Sequence, residues 1–339
     1  MLYRLLGRTG VRVSPLCLGT MMFGAQTTEA DSIAIIHKAL GQGLNFIDTA
    51  DMYTTGESER VVGKALAGGR REGVVLATKG RNKMGEGPSD WGTSRLHMRQ
   101  ALDASLKRLA TDYIDLYYVH APDYNTPIDE TLRFFDDAVH QGKILYSACS
   151  NVRAWRLCEA LWTSDKLRLA SFVAVQPLYN LVNRDIEVEL LPLCQAKQIG
   201  VVSYSPLARG ILTAKYKPGE KFPEGSRASR NDKRMNEAEL REESLAISQR
   251  LADHCKSKGC PASQFALAWC LANPIISSII IGPRTMEQFD DNVAALNMAF
   301  TPQDEAFADS LVPPGEHSGK GFQDPAYPVF GRPKAPSAQ

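Results

Sequence analysis

Short apolar runs alternate along this chain with longer stretches in which apolar residues recur every three or four positions. Runs of a few apolar residues bounded by turn formers read as strands, and the periodic stretches as amphipathic helices laid against them. Strands are predicted at 16–19, 45–48, 74–79, 114–120, 144–149, 172–176, 201–204 and 277–281. Helical period marks 57–67, 94–109 and 128–141, and two further stretches, 237–258 and 261–271, precede the last strand. Thr28 with Glu29, Ser58, Thr93, Thr126, Asn151 and Asp185 stand where helix N-caps are expected.

Strand alternating with helix predicts a parallel sheet with crossover helices, an α/β fold. Eight such pairs within roughly 280 residues favour a closed (β/α)8 TIM barrel over an open doubly wound sheet. An N-terminal β-hairpin precedes it, with arms at 3–6 and 11–14 around a turn at 7–10. The barrel domain is assigned to residues 1–312 and a Pro- and Gly-rich tail to 313–339, where Phe322, Tyr327 and Phe330 suggest partial packing on the barrel. A long loop after strand seven, 206–235, carries Arg209, Lys215, Lys217, Lys221, Arg227, Arg230, Lys233 and Arg234. Loops of this length inside compact domains are usually functional or disordered.

Composition narrows the class. Lys plus Arg is 39 against 38 for Asp plus Glu, a balance without the basic excess that nucleic-acid binding demands. No apolar run reaches the length of a membrane span, and charge and glycine interrupt the first ten residues too early for a signal peptide. Seven cysteines without a CxxC pair read as reduced thiols of a cytoplasmic protein, and the six dispersed histidines offer no metal site.

In a barrel of this kind chemistry gathers at the carboxyl ends of the strands. Strand two ends in Asp48 with Tyr53 beyond it, strand three in Lys79 and strand four in His120. Strand five brings Ser150 and Asn151, strand six Gln176, strand seven Tyr204 and Ser205, and strand eight Gly282 and Arg284.

These residues lie in blocks that resemble the aldo-keto reductases: GLNFIDTADMYTTGESERVVGKAL at 43–66, TKG at 78–80, YYVH at 117–120, SN at 150–151, SYSPLARG at 203–210 and IIGPRTMEQFDDN at 280–292. The resemblance covers residues 1–312. It implies the barrel, NADPH as cofactor, and a catalytic tetrad of Asp48, Tyr53, Lys79 and His120. The chemistry suits these residue types. A tyrosine is a reluctant acid–base group near neutral pH, and an adjacent ammonium from Lys79 is expected to lower its pKa. Asp48 holds that ammonium, and a histidine can donate to the carbonyl oxygen. The implied function is NADPH-dependent reduction of an aldehyde or ketone, a small-molecule carbonyl substrate. The alternative is an NADPH-binding regulatory subunit with little turnover, and a metal-dependent hydrolase is disfavoured because no ligand cluster lies at the strand ends.

The chain has no GxGxxG after a strand, so a Rossmann site is not expected. Nucleotide phosphates in this fold fall after strands seven and eight, where Gly282 and Arg284 precede a helix start. Tyr204 offers a face for the nicotinamide ring, Ser150, Asn151 and Gln176 the groups to hold a carboxamide, and Leu207 and Gly210 a loop near the phosphates. The resemblance adds Gly19, Thr20 and Met21 after strand one, Gln288 beside the 2′-phosphate and adenine, and Asp291 and Asn292 beside the adenosine. Phe23, Trp91 and Tyr124 follow strands one, three and four and are expected to line an apolar substrate mouth.

Overall fold

The structure, a computed structural model, describes residues 1–327; Phe330 lies outside the described residues. Strands β1 (Arg4–Leu5) and β2 (Arg12–Val13) form the antiparallel N-terminal hairpin. Eight parallel strands then close into a barrel: β3 (Leu16–Gly19), β4 (Phe46–Asp48), β5 (Val75–Gly80), β6 (Ile114–Val119), β7 (Ile144–Ser150), β8 (Ala174–Gln176), β9 (Gly200–Ser203) and β10 (Ile276–Ile281), with β10 paired back to β3. The expected α/β barrel and its hairpin are therefore present, with strand ends moved by one or two residues, the margin by which such boundaries ordinarily shift.

Alternation along each strand sorts side chains between two cores. Cys17, Phe46, Val75, Ala77, Leu116, Tyr118, Ala148, Ala174 and Val202 fill the lumen, joined by Leu6 and Val13 of the hairpin. Their sequence neighbours Leu16, Leu18, Ile47, Leu76, Tyr117, Cys149, Val175 and Val201 face outward to the helices. The hairpin packs close to the barrel: Gly7 has φ +57, and a Cβ there would lie 2.4 Å from the Gly200 amide nitrogen.

The helices cover the outer face. They are α1 (Glu29–Gly41), α2 (Glu57–Leu66), α3 (Arg95–Leu109), α4 (Ile128–His140), α5 (Ala154–Leu167), α6 (Leu190–Lys197), α7 (Lys233–Ala238), α8 (Glu242–Lys258), α9 (Ala262–Ala272), α10 (Met286–Ala294) and α11 (Pro302–Leu311). Thr28 caps α1 as expected. The other assigned caps do not. Ser58 lies inside α2, behind a left-handed Gly56, and its hydroxyl donates to the Thr20 carbonyl at 2.8 Å. Ser94 caps α3, while Thr93 accepts from Thr131 of α4. Thr126 donates to Asp123, Asn151 turns back to the His120 carbonyl, and Asp185 opens a separate 3₁₀ turn ahead of α6.

The basic loop is partly helical, with a 3₁₀ segment at Ala208–Thr213 and α7 at its end. The tail up to Tyr327 lies on the barrel. Arg241 binds Ser318 and sits 4.0 Å over the Phe322 ring, and Arg234 grips Asp324 with both guanidinium nitrogens at 2.5 and 2.6 Å. Among the described residues no helix is long and apolar enough to cross a membrane, and no three His, Cys, Asp or Glu side chains gather to hold a metal ion.

Candidate active site

The parity that fills the lumen also aims the site. Phe46 points inward, so Asp48 does; Val75 and Ala77 point inward, so Lys79 does. The same step of two from Tyr118, Ala148, Ala174 and Val202 brings His120, Ser150, Gln176 and Tyr204 to the carboxyl mouth. Hydrogen-bonded register between neighbouring strands, such as Lys79 opposite Tyr118 and Ser150 opposite Gln176, sets them at one level.

Lys79 is fully buried. Its Nζ donates to Asp48 Oδ1 at 2.5 Å, to the Thr49 carbonyl at 2.8 Å and to the Tyr53 hydroxyl at 3.3 Å. Burial works against the ammonium, but Asp48 and Tyr53 raise its pKa on balance, so Lys79 stays charged. Burial likewise pushes the Asp48 carboxyl up against the pull of Lys79. The pair holds because Asp48 is satisfied on both oxygens, the second accepting from Gln176 Nε2 at 2.8 Å. A buried ion pair survives desolvation when such extra hydrogen bonds complete it.

Tyr53 begins a 3₁₀ turn (Tyr53–Gly56) and remains partly accessible. His120 meets its ring edge-on, with centroids 5.8 Å apart. One expectation is corrected here. Burial raises the Tyr53 pKa, and Lys79 lowers it by less, so the net direction is up. The phenol thus keeps its proton at neutral pH. Burial first, then Lys79 and Arg81, drive the His120 pKa well down, which leaves a neutral imidazole whose Nδ1 has no partner among the described residues.

Around this centre Asn151, held at φ +59, donates to the His120 carbonyl and Ser150 Oγ and accepts from the Tyr204 hydroxyl at 2.7 Å. Ser150 donates to the Gln176 carbonyl. Gln176 spends its amide on Asp48, which makes it a brace for the carboxylate as well as a candidate cofactor contact. Ser205, Ala208, Arg209 and Gly210 all have positive φ, so the turn past β9, with Leu207 within it, is an irregular run of backbone amides.

Past β10 nothing stands within 4 Å of a Cβ placed on Gly282, which leaves the approach to α10 open. Arg284 follows, its amide donating to Gln288 Oε1 at 2.9 Å and its guanidinium reaching the Gly225 carbonyl at 3.3 Å. Asn292 is buried in α10. Asp291 ties α10 to α9: its two oxygens accept from Ser263 and Gln264 of α9 at 2.7 and 2.8 Å.

After β3, Gly19 is small because a Cβ would meet Ile280 Cγ2 at 2.5 Å. Thr20 is buried with its hydroxyl on Ser58 and the Asp48 carbonyl, and Met21 is exposed at the rim. The substrate mouth also needs correction. Trp91 and Tyr124 are exposed, Tyr124 stacked on Trp155 at 6.5 Å. Phe23 has no exposed surface and packs in the outer core with Val61 and Val62 of α2, so it is not at the mouth.

Sequence reasoning missed one member of the cationic side of the site. Arg227 is largely buried, and burial, then Arg209, lowers its pKa, with Arg284 adding to the repulsion; Asp232 answers at 3.6 Å. Its place in a basic loop was visible, but not its convergence with Arg284, which depends on how the loop folds.

The Aldo/keto reductase family model matches residues 15–312. An uncharacterized oxidoreductase YrpG of Bacillus subtilis (strain 168) is 39% identical over 331 residues, covering 94% of this chain and 99% of the relative. Two proteins named as probable voltage-gated potassium channel subunit beta, from Oryza sativa subsp. japonica and Arabidopsis thaliana, are each 37% identical, covering 88% of this chain and 92% of the relative.

Proposed function

This chain belongs to the aldo/keto reductase family, and on that premise we propose that it is an NADPH-dependent oxidoreductase that reversibly reduces aldehydes or ketones to alcohols. The observation that carries the reading is a fully buried ammonium, Lys79, shared between Asp48 at 2.5 Å and the Tyr53 hydroxyl at 3.3 Å. A desolvated cation aimed at an accessible phenol serves proton transfer.

Bound NADPH supplies the hydride. The chain supplies the rest. Tyr53, whose burial keeps it protonated, gives its proton to the oxygen of the substrate as negative charge develops there. Lys79 stabilises the phenolate left behind. In the reverse direction the same phenolate takes the proton of the alcohol. Neutral His120 donates to the carbonyl oxygen and orients it, which a preorganised donor does at little cost in reorganisation. Asp48 and Gln176 hold Lys79 in place.

The residues present fit the cofactor. Arg227 and Arg284 form a cluster whose mutual repulsion a phosphate would relieve, and Gly282 leaves room for it at the start of α10. Arg284, Arg227 and Gln288 would hold the 2′-phosphate, Asn292 the adenosine, and Asp291 would act by fixing α10 to α9. The turn with Ser205, Leu207 and Gly210 would meet the pyrophosphate. Tyr204 would stack on the nicotinamide, with Asn151, Ser150 and Gln176 at its carboxamide, and Gly19, Thr20 and Met21 at its rim. Trp91 and Tyr124 would contact the substrate. The seven cysteines are all free, which fits a reducing, cytoplasmic setting.

The two relatives named as potassium channel β subunits favour a second reading, an NADPH-binding regulatory subunit with little turnover. One experiment separates them: NADPH consumption with an activated aromatic aldehyde, run beside Tyr53→Phe and an NADH control. Turnover that Tyr53→Phe abolishes while it still binds NADPH supports the reductase. Tight NADPH binding without turnover on a panel of carbonyls would move the reading to the regulatory subunit. Absence of NADPH binding would overturn both.

A further inference from the structure

Directly behind the reaction centre lies a second set of buried charges that the proposed chemistry does not use. Asp51 sits on the loop between Asp48 and Tyr53, and its amide donates to the carbonyl of Lys79 at 3.1 Å. Its side chain is fully buried, yet among the described residues neither carboxylate oxygen finds a well-formed hydrogen bond; the Met52 amide leans toward it without reaching that geometry. The neighbours come from four elements. Glu59 of α2 is fully buried, one oxygen accepting from Arg108 Nε of α3 at 2.6 Å and the other from Thr78 of β5 at 2.6 Å. Tyr117 of β6 brings a buried hydroxyl that also lacks a partner among the described residues, and after burial Asp51 is the charge that acts on it most. Lys79 of β5 stands on the lumen side.

Room for this cluster is built into the backbone. Gly56 has φ +89, and a Cβ there would fall 2.6 Å from Arg108 Cδ; a Cβ on Gly80 would fall 2.3 Å from the Tyr117 hydroxyl. The ion pairs are already allotted. Lys79 is taken by Asp48 and Arg108 by Glu59, which leaves Asp51 with no cation of its own among the described residues.

A buried carboxylate in that position takes a proton rather than remain an unpaired charge. We propose that Asp51 is a positioning residue whose carboxyl takes up and releases a proton behind the Lys79–Tyr53 pair, and so sets the pH range over which Tyr53 works as an acid. This deepens the proposed function and rests on the assignment of Tyr53 as the acid–base group. Burial first, then the repulsion of Glu59, pushes the Asp51 pKa up to about 7. Below that pH a neutral Asp51 leaves Lys79 free to favour the Tyr53 phenolate. Above it, a carboxylate at Asp51 offsets part of the Lys79 field and holds the proton on Tyr53.

The test compares the native protein with Asp51→Asn, a neutral side chain of the same shape, and Glu59→Gln. In the reduction direction the pH profile of the native enzyme should inflect near pH 7. Asp51→Asn should remove that inflection and move the alkaline limb toward acid by between about half a unit and one unit, the size of one charge acting across a screened interior. Glu59→Gln frees Arg108 for Asp51 and should move the inflection to lower pH. Two readouts do not need turnover. Tyrosinate absorbance, taken as the difference from Tyr53→Phe, should shift in the same sense. Stability provides the other. A carboxyl raised in the fold contributes stability that is full below its unfolded pKa of about 3.9 and is lost as pH rises through the folded value. The native protein should therefore lose thermal stability between pH 5 and pH 8 relative to Asp51→Asn. An infrared band of a protonated carboxyl at pH 5, absent at pH 9, should accompany this in the native protein, which requires no variant to fold. If stability and the tyrosinate titration are the same in both proteins, the proposal is overturned. If they differ but no carbonyl is reduced, Asp51 stands and the reductase reading falls.

Discussion

Among the described residues the Arg284 guanidinium has a single weak commitment, the Gly225 carbonyl at 3.3 Å, and a second cation, Arg227, pressed near it. Charge-assisted hydrogen bonds to a phosphate are worth about 1.5–3 kcal/mol each. Arg284→Ala should therefore weaken NADPH binding roughly tenfold to a hundredfold, and NADH binding, which lacks the 2′-phosphate, by much less. Fluorescence titration of both cofactors measures this, and equal losses would remove Arg284 from the 2′-phosphate site. At this scale the sequence was informative wherever a residue's orientation follows from strand parity, as with Asp48 and Lys79. It was misleading at Phe23, whose side chain is claimed by the outer core.

Between elements, contact distance is the determining quantity. Gly63 lies in the buried face of α2, and a Cβ there would stand 2.7 Å from the Leu109 carbonyl oxygen at the end of α3. The obstacle is backbone, so no side chain can swing aside. Alanine gains about 1 kcal/mol of helix propensity over glycine, but overpacking costs about 1–3 kcal/mol. Gly63→Ala should be destabilising by up to about 2 kcal/mol on those magnitudes, read as a lower urea midpoint with unchanged NADPH affinity of the folded protein. A stabilised variant would mean that α2 and α3 separate at no cost. Strand and helix positions were legible because their periods are local. Helix caps were less so: Ser58 has the right chemistry for the role, yet its hydroxyl was taken by Thr20, 38 positions away, which no local pattern reveals.

Over the whole molecule, the candidate cofactor site spans β3, β7, β9, β10 and α10, so a ligand bound there ties together elements far apart in sequence. Binding to the native state alone stabilises by mass action, about 2.7 kcal/mol at a hundredfold excess over Kd. NADPH should raise the thermal midpoint accordingly, and Arg284→Ala should lose most of that rise at the same concentration. Scanning calorimetry with and without cofactor decides it; no rise in the native protein would place NADPH elsewhere or nowhere.

By itself the sequence determined the barrel and the residues at its carboxyl mouth, because the alternation of two along a strand and the order of strand and helix are properties of neighbouring residues. Tertiary structure alone decided the charge states. Whether Tyr53 sits above or below its ordinary pKa, and whether Asp51 has a cation, depends on burial and on the pairing of Asp48 with Lys79 and Glu59 with Arg108. Those pairs join residues 31 and 49 positions apart. Electrostatic energy in a low-dielectric interior follows distance in space, which the order of residues along the chain does not specify.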